Sequence, residues 1–328
     1  MKFELTILGS GGAIPTIKKK PTAQFLNIQD RFFLIDCGEG TQIQLRKFKC
    51  KFSKINHIFI SHLHGDHYLG LIGFLSSLNL LGRTNDITIY APGDLKKILD
   101  VHQEISGKGF NFNINLKPLN FKNKSLVFED SILNIYSYPV SHSIPCCGFL
   151  FEEKPTKRKL IKEEIKDKNF DIETLKKLKE GDDCLINGEL VKNKSFTVAG
   201  PKSRSYAFCA DTKYDENIPK YVANVDLMYH EATFLENMRE RAKKTYHSTA
   251  LDAANIAKIS KTNQLLIGHF SARYDDVKGF EEEAKSKQTV GIDTRYKNGL
   301  WYKQIIYYAD GRTITEYRDK RRKTVEDK

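Results

Sequence analysis

Ser61-His62-Leu63-His64-Gly65-Asp66-His67 puts three histidines and an aspartate into six consecutive positions. Packing alone does not call for ligand-type side chains at that density. The apolar run Ile55 to Ile60 leads into the cluster and an apolar helical pattern leaves it, so it falls on a loop at the carboxyl end of a strand. From such a loop, side chains can converge on one point. His62 and His64 can share one metal while Asp66 and His67 reach a second beside it. Neutral imidazole with carboxylate suits Zn²⁺ or another borderline divalent ion. The spacing and setting differ from the helical H-E-x-x-H motif.

Three further candidates occupy equivalent places. His142 follows Ile135 to Val140, Asp211 follows Tyr206 to Ala210, and His269 follows Leu265 to Gly268. Each is a ligand-type residue at the end of a short apolar run, where α/β sheets place their chemistry. A lone Asp after a strand is a turn or helix cap about as often as a ligand. Taken with the first cluster, seven such residues at strand ends favour a dinuclear site.

Several longer segments then carry a resemblance. They are Leu8-Gly9-Ser10-Gly11-Gly12-Ala13-Ile14-Pro15-Thr16, Leu34 to Gln42 (with Asp36-Cys37-Gly38-Glu39-Gly40-Thr41-Gln42), His62 to Leu71, His142, Asp211-Thr212, His230-Glu231-Ala232-Thr233-Phe234, His247-Ser248-Thr249 and His269 to Tyr274. H-x-H-x-D-H alone resembles the metallo-β-lactamase superfamily. The other elements, in this order along nearly the whole chain, resemble its short-form ribonuclease Z branch, endonucleases that process tRNA 3′ ends.

That resemblance implies an α/β (α+β) fold, a four-layer αββα sandwich with the site on the edge where two sheets meet. It implies one domain over 1–328 carrying an inserted basic arm at 153–200. Position by position it assigns one zinc to His62, His64 and His142 and the other to Asp66, His67 and His269, with Asp211 bridging. Two Zn²⁺ per chain are expected, with Mn²⁺ or Mg²⁺ as substitutes. Glu231 and His247 match the family's catalytic pair, and Asp36 matches an acid that orients the first cluster. The expected reaction is metal-assisted in-line hydrolysis. In it Asp66 takes the nucleophile's proton, and His247, oriented by Glu231, protonates the departing 3′-oxygen. The products are a 3′-hydroxyl on the tRNA and a 5′-phosphate on the trailer.

Charge and composition point the same way. The 328 residues carry a net charge of +12 with ordinary 40% hydrophobic content, which favours a polyanionic partner. Lys154, Lys157, Arg158, Lys159, Lys162, Lys166, Lys168, Lys176, Lys177 and Lys179 fall between His142 and Asp211. The segment reads as a projection from the core, with one short helix over Asp171 to Gly181. By resemblance such an arm grips the tRNA elbow, although this one lacks the Gly-Pro-rich signature of the best-known bacterial arms. Lys202 and Arg204 resemble a basic loop that binds near the 3′ end, and Arg273, four residues after His269, is a candidate phosphate clamp. A charged turn and a surface salt bridge are the plainer readings of these positions.

Gly9-Ser10-Gly11-Gly12 fits neither nucleotide-loop motif and is expected to turn backbone N–H groups toward a substrate phosphate. Six scattered cysteines have neither zinc-finger nor secreted-scaffold spacing, so they read as reduced thiols in the cytoplasm. Cys146-Cys147, near His142, is read as buried rather than as a soft ligand. No signal-like amino terminus or membrane-spanning run is evident, and no membrane partner is expected. Helices are expected at Leu69 to Leu81 and at Thr249 to Ile259, the latter capped by Ser248. A hairpin is expected at Asp310-Gly311, and a charged tail at Asp319 to Lys328. The family usually forms a homodimer. The competing function is a small-molecule ester, thioester or lactone hydrolase of the same superfamily, which would need an apolar pocket and no basic arm.

Overall fold

The computed structural model describes residues 2–17, 19–107, 109–186 and 188–286, together with the strands Gly291–Ile292, Gln304–Tyr307 and Thr313–Glu316. Two sheets dominate. The first has the order Thr313–Glu316, Gln304–Tyr307, Phe3–Gly9, Ala23–Ile28, Arg31–Ile35, His57–Phe59, Ile87–Ala91, Ile114–Pro118. The second runs Gly291–Ile292, Gln264–Gly268, Leu227–Glu231, Ser205–Cys209, Cys147–Glu153, Leu133–Pro139, Ser125–Glu129.

Side chains alternate across a strand, and here both faces are apolar. Phe33 and Ile35 point inward to meet Phe149, Phe151, Tyr206 and Phe208 between the sheets. Their neighbours Phe32 and Leu34 face outward, against Leu71, Phe74, Leu75 and Leu78 of the helix Gly70–Leu80. On the other side Leu150, Ala207, Cys209 and Met228 pack on the alanine-rich helix Ala250–Ile259. These three apolar layers separate four layers of structure, helix, sheet, sheet, helix, as expected.

In both sheets the parallel strands that supply the site run the same way within their sheet, so their carboxyl ends line one edge. His57–Phe59 pairs parallel with Arg31–Ile35, and Leu227–Glu231 pairs parallel with both Ser205–Cys209 and Gln264–Gly268. Loops leaving these ends are free of the ladder and can aim side chains at one point.

Differences from the sequence reading are local. The helix after the metal loop is split into Gly65–Tyr68 and Gly70–Leu80. Gly70 packs so tightly on the Gly38 carbonyl that a Cβ there would sit 2.1 Å from it. The cap of Ala250–Ile259 is Thr249, in a reciprocal capping box with Asp252, and not Ser248. Ser248 instead donates its hydroxyl to the Thr212 carbonyl (2.6 Å) and its amide to Glu231. Gln304–Tyr307 and Thr313–Glu316 pair antiparallel, while the Asp310-Gly311 turn and the Asp319–Lys328 tail lie outside the described residues.

The segment between Glu153 and Ser205 leaves both main sheets. Lys159–Leu160 pairs with Thr197–Val198, and Cys184–Ile186 with Glu189–Val191. The helix Ile172–Glu180 starts at Asp171, whose carboxylate accepts the Thr174 amide, and stops at Gly181 with φ 106°. Buried Leu178, Asn193 and Thr197 tie these pieces together, with Arg158 donating to the Thr197 hydroxyl at 2.6 Å. The excursion is therefore more ordered than its polar sequence suggests.

Candidate metal centre

His62 and His64 follow the strand His57–Phe59, and His64 opens the helix Gly65–Tyr68 that carries Asp66 and His67. His142 comes after Leu133–Pro139, Asp211 after Ser205–Cys209, and His269 after Gln264–Gly268. These seven residues meet in two adjoining groups. In one, His62 Nε2 lies 3.1 Å and His142 Nε2 3.0 Å from His64 Nδ1, with Asp211 Oδ2 3.8 Å from His62 Nε2. In the other, His67 Nε2 lies 3.3 Å from His269 Nε2, and His269 Nε2 lies 3.1 Å from Asp66 Oδ2. Asp211 Oδ2 is also 3.3 Å from His67 Nε2 and 3.1 Å from His269 Nε2, so one oxygen faces both groups.

These spacings fit metal ligation. Ligands at about 2.0–2.1 Å around a tetrahedral zinc lie roughly 3.3 Å from one another. The protonation chemistry agrees. Burial pushes His62 well below its usual range, and also lowers His64 and His142, leaving neutral rings with lone pairs to donate, whereas Asp211, Asp36 and Asp66 overcome burial and lift His67 well above its usual range, marking a place where positive charge is wanted. Asp36, Asp66, Asp211 and Glu231 are all buried in this one neighbourhood, an arrangement that calls for positive charge.

The far side of four of the five rings is held. His67 Nδ1–H donates to Asp36 Oδ2 at 2.7 Å, and Asp36 also accepts the Ser61 amide and hydroxyl. Ser61 Oγ is 3.0 Å from His62 Nδ1. His142 Nδ1–H donates to the Tyr246 carbonyl at 2.9 Å, and His269 Nδ1–H to the Thr233 hydroxyl at 2.8 Å. Such contacts fix tautomer and ring orientation, leaving the opposite nitrogen for a metal. Gly12 must lack a side chain because the His269 ring lies where its Cβ would be, at 2.6 Å.

Asp66 Oδ2 accepts the Ala13 amide at 2.6 Å. At this residue the glycine-rich loop therefore supports a ligand-type side chain, where its sequence suggested a phosphate cradle. Burial raises the Asp66 carboxyl, but the His67 and His269 imidazoles outweigh it and hold the group well below the usual range. An ionised carboxylate at this place is suited to holding a cation.

Glu231 is fully buried and saturated. Its Oε1 accepts from the Thr212 and Ser248 amides and from His247 Nδ1–H at 2.9 Å, its Oε2 from the Thr233 amide and hydroxyl. His247 is disfavoured as a cation by burial, yet Glu231 overcomes this and lifts it to about 9. Because Nδ1 is committed to Glu231, His247 has Nε2 to offer at the mouth of the cluster.

The basic candidates separate. Arg204 grips Glu153 with Nε and Nη2 at 2.7 and 2.6 Å in a nearly buried pair, over the Phe3 ring. Lys202 pairs with Asp226 at 2.9 Å. Both lie where Ser205–Cys209 begins, and its other end leads to Asp211, roughly 15–20 Å away at about 3.3 Å per residue. The structure does not bring either to the metal edge. Arg273 is exposed on the loop after His269. Thr233, Tyr246 and Ala13 support the cluster but carry no signal of their own. Ala13 and Thr233 fall within segments that carry the resemblance and Tyr246 does not, and Ala13 and Tyr246 contribute only backbone atoms that any residue possesses.

The family model for Anti-Pycsar protein Apyc1 matches residues 3–180, which hold His62 to His142 but stop short of Asp211. Ribonuclease Z of Bacteroides fragilis is 43% identical over 286 residues, 87% of this chain and 94% of its own. That of Porphyromonas gingivalis is 41% identical over 301 residues, covering 91% and 99%. Human tRNase Z, short form, superposes with a TM-score of 0.61 at 27% identity, covering 82% of this chain and 93% of the human one. The metallo-β-lactamase fold protein YhfI from Bacillus subtilis, at 15% identity and TM-score 0.64, covers 92% of this chain and all of its own, and shares the fold.

Proposed function

The chain belongs to the ribonuclease Z family, and from that premise we propose how its residues carry out the reaction. It is a hydrolase that removes the 3′ trailer from precursor tRNA. It uses divalent metal, and we assign two zinc ions, one to His62, His64 and His142 and one to Asp66, His67 and His269, with Asp211 shared. The support is the convergence of ring nitrogens and carboxylate oxygens at ligand spacing. Bound there, such ions would supply Lewis-acid stabilisation to the scissile phosphate and a source of hydroxide at neutral pH.

The protein's own residues do the rest. Asp36, Ser61, Thr233 and the Tyr246 carbonyl hold the rings in register. Asp66 serves as a cation-holding carboxylate and is the candidate acceptor for the nucleophile's proton. His247, held by Glu231, places a proton at Nε2 for the departing 3′-oxygen. Arg273 is the phosphate clamp we favour, and the lysines of the 153–200 excursion are the surface for the tRNA body.

The Glu231–His247 pair is the observation that carries the reading: His247 also borders Asp211 at 3.9 Å, but its Nδ1 is committed to Glu231 at 2.9 Å, which leaves the ring to supply an acid for an alkoxide leaving group. The ester-hydrolase alternative has less support: relatives at 41–43% identity carry the ribonuclease name across both halves of the site. We further propose a cytoplasmic homodimer. All six cysteines are free, which suits a reducing compartment, and no helix among the described residues is long and apolar enough to cross a membrane. Ile43, Leu69, Leu80 and Leu81 are exposed on neighbouring helices and offer an apolar face to a second copy.

Incubation with a 3′-extended precursor tRNA tests the function. Cleavage next to the discriminator nucleotide is expected, with His247→Ala slowed by about 10²–10⁴-fold and a lactone or thioester untouched. The wild-type rate should fall at alkaline pH as His247 loses its proton, a limb absent from His247→Ala. Ester turnover without RNA cleavage would sink the reading.

A further inference from the structure

Beside the cluster, Tyr246 has a backbone φ of 58°, a conformation that favours glycine or asparagine over a bulky side chain. The backbone requirement is clear. The Tyr246 carbonyl must turn to His142 Nδ1 at 2.9 Å while the next residue, His247, turns to Glu231. Asparagine would meet that need with less strain, so the ring is not there for the backbone. Nor is it there for the core, because Tyr246 is 41% exposed.

Above this ring lies the Lys213 ammonium, 5.5 Å from its centroid. Lys213 is exposed and its position is fixed from the site side. Its amide donates to the Ser141 carbonyl at 2.9 Å, next to His142, and it follows Asp211-Thr212. An aromatic face and a cation thus stand together at the mouth, immediately beside the residue that faces the leaving oxygen. Neither side chain takes part in holding the ligand-type residues.

We propose that Tyr246 and Lys213 form a nucleotide-positioning platform for the unpaired nucleotide on the 5′ side of the scissile phosphate, the base stacking on Tyr246 and a backbone phosphate meeting Lys213. An exposed cation–π contact is weak, whereas a base on an aromatic ring with a phosphate on the ammonium satisfies both groups at once. The 5′ side follows from His247. The nucleotide that keeps the departing 3′-oxygen is the one His247 must approach, and Tyr246 is its chain neighbour. Both are positioning residues, and the proposal rests on the endonuclease reading above.

The test pairs enzyme variants with substrate variants. Wild type, Tyr246→Asn, Tyr246→Trp and Lys213→Ala are each given an intact precursor tRNA and one made abasic at the nucleotide 5′ of the cut. Removing the base is expected to lower wild-type kcat/KM by about tenfold. Tyr246→Asn should lose about tenfold on the intact substrate and nothing further on the abasic one, while Tyr246→Trp retains activity. Lys213→Ala should lose activity on both and show a shallower salt dependence. Metal analysis of each variant shows whether the ligand cluster survives. The proposal is overturned if the wild type is indifferent to the missing base, if the two losses multiply, or if Tyr246→Trp falls with Tyr246→Asn at full metal content. Failure of the wild type to cut the intact precursor would instead remove the endonuclease reading itself.

Discussion

The metal-bearing edge and the basic arm grow from opposite ends of the same two strands, Cys147–Glu153 and Ser205–Cys209. At one end Cys147 donates its amide to the Ser61 carbonyl and Asp211 enters the cluster. At the other, Glu153 and Arg204 close a buried ion pair and the arm departs. The first end is over-determined: almost every ring nitrogen and carboxylate oxygen there has a fixed partner, several of them buried. The arm is held by its own small ladders, and its lysines are mostly exposed, some in surface pairs such as Lys157–Glu180 and Lys177–Glu173. Exposed pairs of this kind contribute little to stability and can be exchanged for phosphates. One end is thus built for fixed geometry, the other for a replaceable electrostatic contact.

Substituting the shared ligand should break the first end most severely. Asp211→Asn keeps the shape but removes the charge that faces both groups. We expect kcat/KM on precursor tRNA to fall by about 10³-fold or more, since the metals' contribution is worth several kcal/mol. Metal analysis should show less than the wild-type content. Full metal with unchanged rate would mean that Asp211 is not a ligand.

Removing the arm should act on binding and leave chemistry alone. Glu152 and Ser205 are paired across the two strands, so replacing residues 155–201 with a short Gly/Asn-containing turn can close them as a hairpin. KM for precursor tRNA should rise at least about tenfold and become less dependent on salt. A small phosphodiester should be cleaved within about twofold of the wild-type rate. Equal losses on both substrates would make the arm a structural element of the core.

The same contrast explains what could be read without the structure. His62, His64, Asp66 and His67 announce themselves because one loop supplies them all. His142, Asp211 and His269 arrive singly from separate strand ends, and their meeting rests on topology that no local pattern encodes; the resemblance supplied it. The strand Ala23–Ile28 is hard to read from sequence because it is buried on both faces, with Gln24 and Asn27 inside, and so lacks alternation. Ser248 has the chemistry of a helix cap, but its hydroxyl is drawn to the Thr212 carbonyl by the site. The arm's polar, lysine-rich sequence suggests a projection, and most of its lysines are exposed. Its ladders have no such signature, because a core of Leu178, Asn193 and Thr197 has no apolar period.

Arg204 sharpens the boundary between the two ends. A basic residue just past the arm suggested RNA contact, yet its guanidinium is two-pronged on Glu153, which also accepts from Gln29 at 2.7 Å. Truncating it would leave a buried carboxylate without its cation, a defect that costs about 3–5 kcal/mol. Arg204→Ala should therefore lower the denaturant midpoint clearly while kcat and KM of the surviving folded enzyme stay within about twofold. Pairing it with Glu153→Gln should recover part of the loss, because the stranded charge is gone. A rise in KM for precursor tRNA at unchanged stability would instead return Arg204 to the substrate surface. The arm's grip would then extend onto the strand end that now reads as its anchor.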